Sequence, residues 1–287
     1  GHRALRLLEG DAWRALVVGN QGPDFSVGAN LGLFIAAFMG GQIDQVEQAT
    51  KALQDLAMAM RFARKPVVTA PFSRVLGGGT ELALAGARIC AAAETYMGLV
   101  ELGVGLIPAG GGCKELLRRG VAPHVMAGSD PLPYLQKVFE AIALAKVSES
   151  GQAARALGYL DAADPIIPNT DHLIGYAKQA ALDLADMGYT APDRNTPSVY
   201  ALGSKGKAAL FAGIAQLRWG RYISDYDALI AHKLAHVLCG GDLSAPQWVP
   251  EQYILDLERA AFIELLGERK TQERIAYMLQ NGKPLRN

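Results

Sequence analysis

Two carboxylates in glycine-rich surroundings hold the clearest chemical promise in this sequence: Glu81 in GGGTE (77–81) and Glu101 in VELGVGLIPAGGG (100–112). Three glycines between a strand and a helix let the backbone pass close to a ligand and aim amide groups at it, and the helix N-terminus adds positive potential. Such a turn suits an oxyanion that develops during a reaction. The same residues also fit a plainer reading, a tight strand-to-helix turn in which Glu81 complements the helix dipole. DFSVGANL (24–31) is a second loop after a buried strand, where a Gly-Ala step exposes an amide or serves as an ordinary polar turn. Glu101 stands alone in a mostly apolar loop, where a carboxylate is more often paired or solvated than catalytic.

Other arrangements carry less. GVGLIP (103–108) has Pro108 where the third glycine of a dinucleotide fingerprint belongs, GGGCKE (110–115) lacks the Lys-Ser/Thr ending of a phosphate loop, and there is no Gly-x-Ser-x-Gly elbow. His232 and His236 stand i, i+4 on a predicted helix, yet HKLAH lacks the glutamate of a zinc protease motif, so they read as packing or surface residues and no metal is expected. Cys90, Cys113 and Cys239 are far apart and odd in number, which argues against a disulfide framework and fits a reducing, cytoplasmic setting.

Lysine plus arginine balances aspartate plus glutamate at 28 each, so no overall field recruits nucleic acid or an acidic membrane surface. The expected partner is a small molecule or another copy of the chain. No apolar run approaches the roughly 20 residues of a membrane span, and GHRALRLLEGD has no signal-peptide pattern.

The elements that must position these residues follow from the hydrophobic pattern. Half of the 287 residues are hydrophobic, enough for a substantial core. ALVVGN (15–20), VVTA (67–70) and ARICAAA (87–93) read as strands, and residues 42–64 as a long amphipathic helix ended by Pro66. LGGGTELALAGA reads as a glycine turn opening a helix, and residues 98–119 as a loop with two glycine clusters and then a helix start. From Leu132 onward the pattern predicts helices at about 132–145, 149–157, 171–187, 204–218, 224–239, 250–266 and 270–281. Residues 188–206, rich in proline and glycine, read as a loop or internal boundary. The implied organisation is an α/β core over 1–187 and a helical region over 188–287, part of the same domain or an oligomer interface. Ile254, Leu257, Ala261 and Leu265 form an apolar stripe that needs covering, by the chain itself or by a second copy.

Taken in order, three segments resemble the enoyl-CoA hydratase (crotonase) superfamily: FSVGANL, KPVVTAPFSRVLGGGTELALAG and VELGVGLIPAGGG. A further segment, ALAKVSESGQAARALGYLD (143–161), extends the likeness to roughly residues 14–185. The tail resembles the end of the hydratase-like domain at the C-terminus of long bifunctional 3-hydroxyacyl-CoA dehydrogenases. That likeness implies an NAD-binding dehydrogenase part upstream in the natural protein. It also implies a crotonase-like fold, a repeated ββα superhelix with a C-terminal helical region, and assembly as a trimer or hexamer. The chain starts within the first helix expected of the family, as a fragment would.

Carried over residue by residue, the resemblance makes the amides of Ala29 and Gly78 the oxyanion hole for an acyl-CoA thioester, and Glu81 and Glu101 the acid/base pair. Ser26, Gly28, Asn30, Leu31, Gly77, Gly79, Pro108 and Gly110 become the substrate-binding residues. The implied reaction is addition of water to a trans-2-enoyl-CoA, giving a 3-hydroxyacyl-CoA in fatty-acid β-oxidation. Coenzyme A is then part of the substrate, and no separate cofactor is expected. Double-bond isomerisation is the alternative within the family, and a non-catalytic acyl-CoA-binding or scaffold role the alternative outside it. Three departures stand out: Asn30 replaces an aspartate, Phe72-Ser73 replaces an Asn-Gly pair, and Ala87-Arg88 takes the place of a further aspartate.

Overall fold

Short apolar runs become strands and longer amphipathic stretches become helices. The computed structural model describes every residue, Gly1–Asn287. In chain order the elements are α1 (His2–Glu9), β1 (Leu16–Val18), α2 (Leu31–Met39), α3 (Ile43–Arg61), β2 (Val67–Thr69), β3 (Ser73–Leu76), α4 (Gly78–Leu84), β4 (Arg88–Ile89), β5 (Ala91–Ala92) and β6 (Thr95–Gly98). A 3₁₀ turn (Glu101–Val104) follows, then α5 (Gly112–Gly120), α6 (Ala122–Met126), α7 (Leu132–Ala143), α8 (Gly151–Ala156), β7 (Ile166–Ile167) and α9 (Leu173–Asp186). The rest is β8 (Val199–Ala201), α10 (Gly203–Trp219), α11 (Asp225–Leu238), β9 (Gln247–Val249), α12 (Glu251–Gly267) and α13 (Arg269–Asn281). No helix is long and apolar enough to cross a membrane.

The chain forms two units that interleave along the sequence. The first comprises Gly1–Gly28, Ala52–Gly98 and Val147–Thr196, the second Ala29–Lys51, Leu99–Lys146 and Pro197–Asn287.

Parallel strands build the first unit. β1 pairs with β2 and β2 with β4, in a register that sets Val17 against Val68 and Thr69 against Ile89. β2 is buried at every position, which explains why VVT shows no polar alternation. Two more parallel pairs follow, β3 with β6 and β5 with β7. Each parallel pairing needs a crossover, and between β3 and β6 that crossover includes α4. Leu5 and Leu8 of α1 pack with Ala57 and Met60 of α3, Val67 of β2 and Ala85 in one core cluster. ARICAAA proves to be two strands, because the chain changes partner at Cys90: Arg88–Ile89 extends the first sheet and Ala91–Ala92 joins β7.

Helices dominate the second unit. Within the stretch read as loop, residues 199–201 form a strand, since β8 finds an antiparallel partner in β9. The stripe on α12 is largely covered by the chain itself: Ile254, Ala261 and Leu265 are buried and Leu257 is half-buried, with α2, α5, α11 and α13 packed around them. That stripe is not a surface left open for a second copy.

A buried ionic network ties α5 to α12. Lys114 Nζ lies 2.5 Å from Glu115 Oε1 and 2.9 Å from Glu251 Oε2, with Lys114 wholly buried. Arg118 Nη2 reaches Glu115 Oε2 at 2.7 Å, and Ser198 donates to Glu251. Buried charges persist only when paired and hydrogen-bonded in this manner.

Candidate active site

The glycine triplet sits where β3 ends and α4 begins, in the first unit. Gly77 adopts φ 53°, a conformation open to glycine, and its amide donates to the Gly98 carbonyl at 2.9 Å. Thr80, wholly buried, donates its hydroxyl to the carbonyls of Val75 and Gly98, which clamps the turn onto the ends of β3 and β6. Glu81 follows in the first turn of α4 and is 3% exposed.

The loop after β1 lies against this turn. Ser26 forms a parallel bridge with Val75, and its carbonyl accepts the Leu76 amide at 2.9 Å. A side chain at Gly28 would stand 3.0 Å from the Leu76 carbonyl and 3.5 Å from the Gly78 nitrogen; one at Gly79 would collide with Ser26 at 2.6 Å. Backbone here approaches backbone at a distance that only glycine permits. The structure therefore brings Ser26, Gly28, Gly77, Gly78 and Gly79 together at the start of the helix that carries Glu81.

The other predicted residues belong to the second unit. Ala29 follows Gly28 in the chain, Asn30 caps α2 by accepting the Leu33 amide at 3.2 Å, and Leu31 is the first residue of that helix. Glu101 opens the 3₁₀ turn, and its carbonyl accepts the Leu106 amide. Gly105 closes the turn at φ 85°, where Thr271 of α13 donates to its carbonyl at 2.7 Å and Tyr226 of α11 shares a 2.6 Å bond with the Thr271 hydroxyl. A Cβ at Gly105 would meet that hydroxyl at 2.7 Å. Pro108 and Gly110 lead into α5, whose first amides are held by a carboxylate from α12. Glu258 accepts from Gly111 at 2.9 Å and from Lys114 at 2.7 Å.

Sequence reasoning missed these supports. Thr80 lies inside the quoted GGGTE motif, but its bonds to two carbonyls depend on a neighbouring strand. Glu258 and Thr271 are remote in sequence from the loops they hold, and no local pattern announces them. Nowhere do three His, Cys, Asp or Glu side chains gather in a group able to hold a metal ion.

The family model described as enoyl-CoA hydratase/isomerase matches residues 2–127. Over 286 residues, the whole of its length, the chain is 46% identical to a Bacillus subtilis protein named "Probable 3-hydroxyacyl-CoA dehydrogenase". The chain belongs to the enoyl-CoA hydratase/isomerase superfamily. It is also 32% identical over 176 residues, 61% of its length, to a peroxisomal fatty acid beta-oxidation multifunctional protein of Arabidopsis thaliana. The chain spans only 35% of the first relative and 22% of the second. An enoyl-CoA hydratase from Rhodobacter sphaeroides superposes with a TM-score of 0.67 at 18% identity, covering 99% of this chain and 82% of that one. Its likeness establishes the expected α/β crotonase fold with helices toward the C-terminus.

Residues that depart from the superfamily pattern carry structural tasks in this member. Ser73, where the pattern has glycine, adopts φ 50°. Asp24 holds it there: its carboxylate accepts from the Ser73 hydroxyl at 2.8 Å, the Arg74 amide at 3.1 Å and the Arg74 guanidinium at 2.6 and 2.9 Å. The Arg74 side chain beside Asp24 holds its carboxyl well below the usual carboxylate range. Arg88 donates to the Ala163 carbonyl, and Asn30 is the helix cap already described.

Proposed function

We propose that this chain hydrates a trans-2-enoyl-CoA to a 3-hydroxyacyl-CoA. The observation that carries the reading is the approach of Gly28 to the Gly78 amide at the N-terminus of α4. A thioester carbonyl gains negative charge as water adds to the conjugated double bond, and preorganised amides stabilise that charge most where it develops. The proposed donors are the amides of Ala29 and Gly78. Ser26, Gly28, Asn30, Leu31, Gly77, Gly79, Pro108 and Gly110 shape the substrate contacts.

Glu81 and Glu101 supply the proton chemistry. One carboxylate takes a proton from water as its oxygen attacks C3, and a carboxylic acid delivers a proton to C2. The reaction therefore needs one of the pair ionised and the other protonated when water adds. The B. subtilis and A. thaliana relatives are named as a dehydrogenase and a β-oxidation multifunctional protein, which supports a place in fatty-acid breakdown. We assign the chain to the hydratase part of such a longer protein, with the dehydrogenase part elsewhere.

Loss of 2-enoyl-CoA absorbance on adding the chain, and on adding a version extended upstream, tests the assignment. Hydration predicts loss with 2-enoyl substrate and formation of 3-hydroxyacyl-CoA. Conversion of a 3-enoyl-CoA to the 2-enoyl isomer without any hydration means an isomerase. Tight binding without turnover in either version means a scaffold.

A further inference from the structure

The proposed reaction needs Glu101 at a fixed point, yet the segment that carries it has little to hold it there by itself. Glu101–Val104 is a single 3₁₀ turn, closed by the Gly105 amide, which donates to the Glu101 and Leu102 carbonyls. Bonds in such turns are poorly aligned, and the turn is too short to add many of them. Contacts from other elements of the second unit must therefore set where the turn stands.

α13 supplies that contact through one hydroxyl. Thr271 is the third residue of the helix and wholly buried. A threonine within a helix commonly returns its hydroxyl to a carbonyl one turn back; Thr271 instead donates to the Gly105 carbonyl at 2.7 Å. The two backbones are close as well, since a Cβ on Gly105 would stand 3.0 Å from the Thr271 Cα. A threonine hydroxyl has one proton, and here Gly105 accepts it. The 2.6 Å bond between Thr271 and Tyr226 must therefore take its proton from the phenol. Burial raises the Tyr226 phenol above its ordinary range, so it stays a donor through neutral pH. Lys270 and Arg274, from the same helix, place their cationic groups 5.6 and 5.0 Å from the centre of the Tyr226 ring, which adds cation–π attraction. The relay from Tyr226 to Thr271 to Gly105 thus runs in one direction only.

We propose that Thr271 is a positioning residue for hydration: it sets the place of the Glu101 carboxylate through the Gly105 carbonyl, and Tyr226 orients its hydroxyl. The proposal rests on the assignment of Glu101 to proton transfer. Placement matters to that chemistry, because a shift of about 1 Å can cost on the order of 10²-fold in rate. Groups carried on loops depend on such outside support more than groups on long helices. Acting through the backbone of the turn, Thr271 should govern kcat and leave substrate binding nearly untouched.

The test is a mutant cycle in whichever of the chain or its upstream-extended version hydrates 2-enoyl-CoA. Thr271→Val keeps the shape of the side chain without the hydroxyl, and Thr271→Ser keeps the hydroxyl. Thr271→Val should lower kcat by about 10–10² with KM within about threefold, and Thr271→Ser should return kcat to within about threefold of wild type. In a Glu101→Gln background the same valine should cost less than about twofold more, because the group it positions is already gone. Hydrogen exchange, which needs no turnover, should be about tenfold faster in Thr271→Val for peptides spanning 99–108 and unchanged in α12. If circular dichroism shows Thr271→Val unfolded, Tyr226→Phe takes its place in both measurements, since it removes one hydroxyl alone. Wild-type kcat in the folded variant, equal losses in both backgrounds, or unchanged exchange over 99–108 would each overturn the proposal. Full activity in Glu101→Gln is a separate result: it overturns the two-carboxylate reading, and the proposal falls with it.

Discussion

Single residues show how this superfamily member keeps its turns in shape with unusual side chains. Ser73 occupies a left-handed conformation that costs a non-glycine residue energy, and Asp24 offsets it through four hydrogen bonds. The folded-state pKa of Asp24 is depressed, so its contribution to stability is present above the ordinary value of 3.8 and is lost as pH falls through the folded value. Asp24→Asn should therefore melt below wild type at neutral pH, and the gap should persist to about pH 4 and close as the solution becomes more acidic. Thermal melts across that range check it; a constant gap down to the lowest pH would show that the charge is irrelevant.

The cysteines give a second expectation at this scale. Burial pushes the Cys239 thiol up to about 12, and burial with the nearby Asp164 charge pushes Cys90 up to about 11. Cys113 is buried as well. Alkylation of the native chain at about pH 8 should be slow at all three and complete in denaturant, as mass spectrometry would read, because only an accessible thiolate reacts. Rapid labelling of folded protein would contradict the burial described.

At the scale of elements, what was legible followed from local periodicity. The long helix expected over 42–64 is α3, and the seven helices expected after Leu132 are α7 to α13. Apolar positions recurring every three or four residues survive in any context, which is why these segments could be read without partners. Elements defined by a distant partner were missed. β8 depends on β9, nearly fifty residues away, and ARICAAA splits because its two halves pair with different strands. The glycine motifs were visible as residue types, although the demands that Gly28, Gly79 and Gly105 answer come from Leu76, Ser26 and Thr271, remote in sequence.

Glu258 is the element-scale support with the sharpest consequence. Its carboxylate, wholly buried, satisfies the Gly111 and Lys114 amides at the start of α5. Removing it leaves two buried backbone donors without that acceptor. Glu258→Ala should cost about 2–5 kcal/mol in urea unfolding. Glu258→Gln retains an acceptor and should cost less. A Glu258→Ala loss under about 0.5 kcal/mol would mean that the helix start does not depend on this contact.

At the scale of the whole molecule, Glu81 lies in the first of two units that interleave along the sequence and Glu101 in the second. Each unit holds its carboxylate by different means: Thr80 and the Gly98 carbonyl brace the start of α4, while Thr271 and Tyr226 fasten the turn that Glu101 opens. The carboxylates themselves were legible as residue types set among glycines, and their pairing came from the resemblance. The supports were illegible because they are contributed from far along the chain.

The most direct test of the central claim is the turnover of 2-enoyl-CoA by Glu81→Gln and Glu101→Gln, followed by loss of enoyl absorbance in whichever of the chain or its upstream-extended version hydrates the substrate. Glutamine keeps size and polarity but cannot exchange the proton. Each single change should lower kcat by about 10²–10⁴ with much less effect on substrate binding, and the double variant should lose far less than the product of the two. Full hydratase activity in Glu101→Gln alongside its loss in Glu81→Gln would contradict the two-carboxylate mechanism and leave a one-base site.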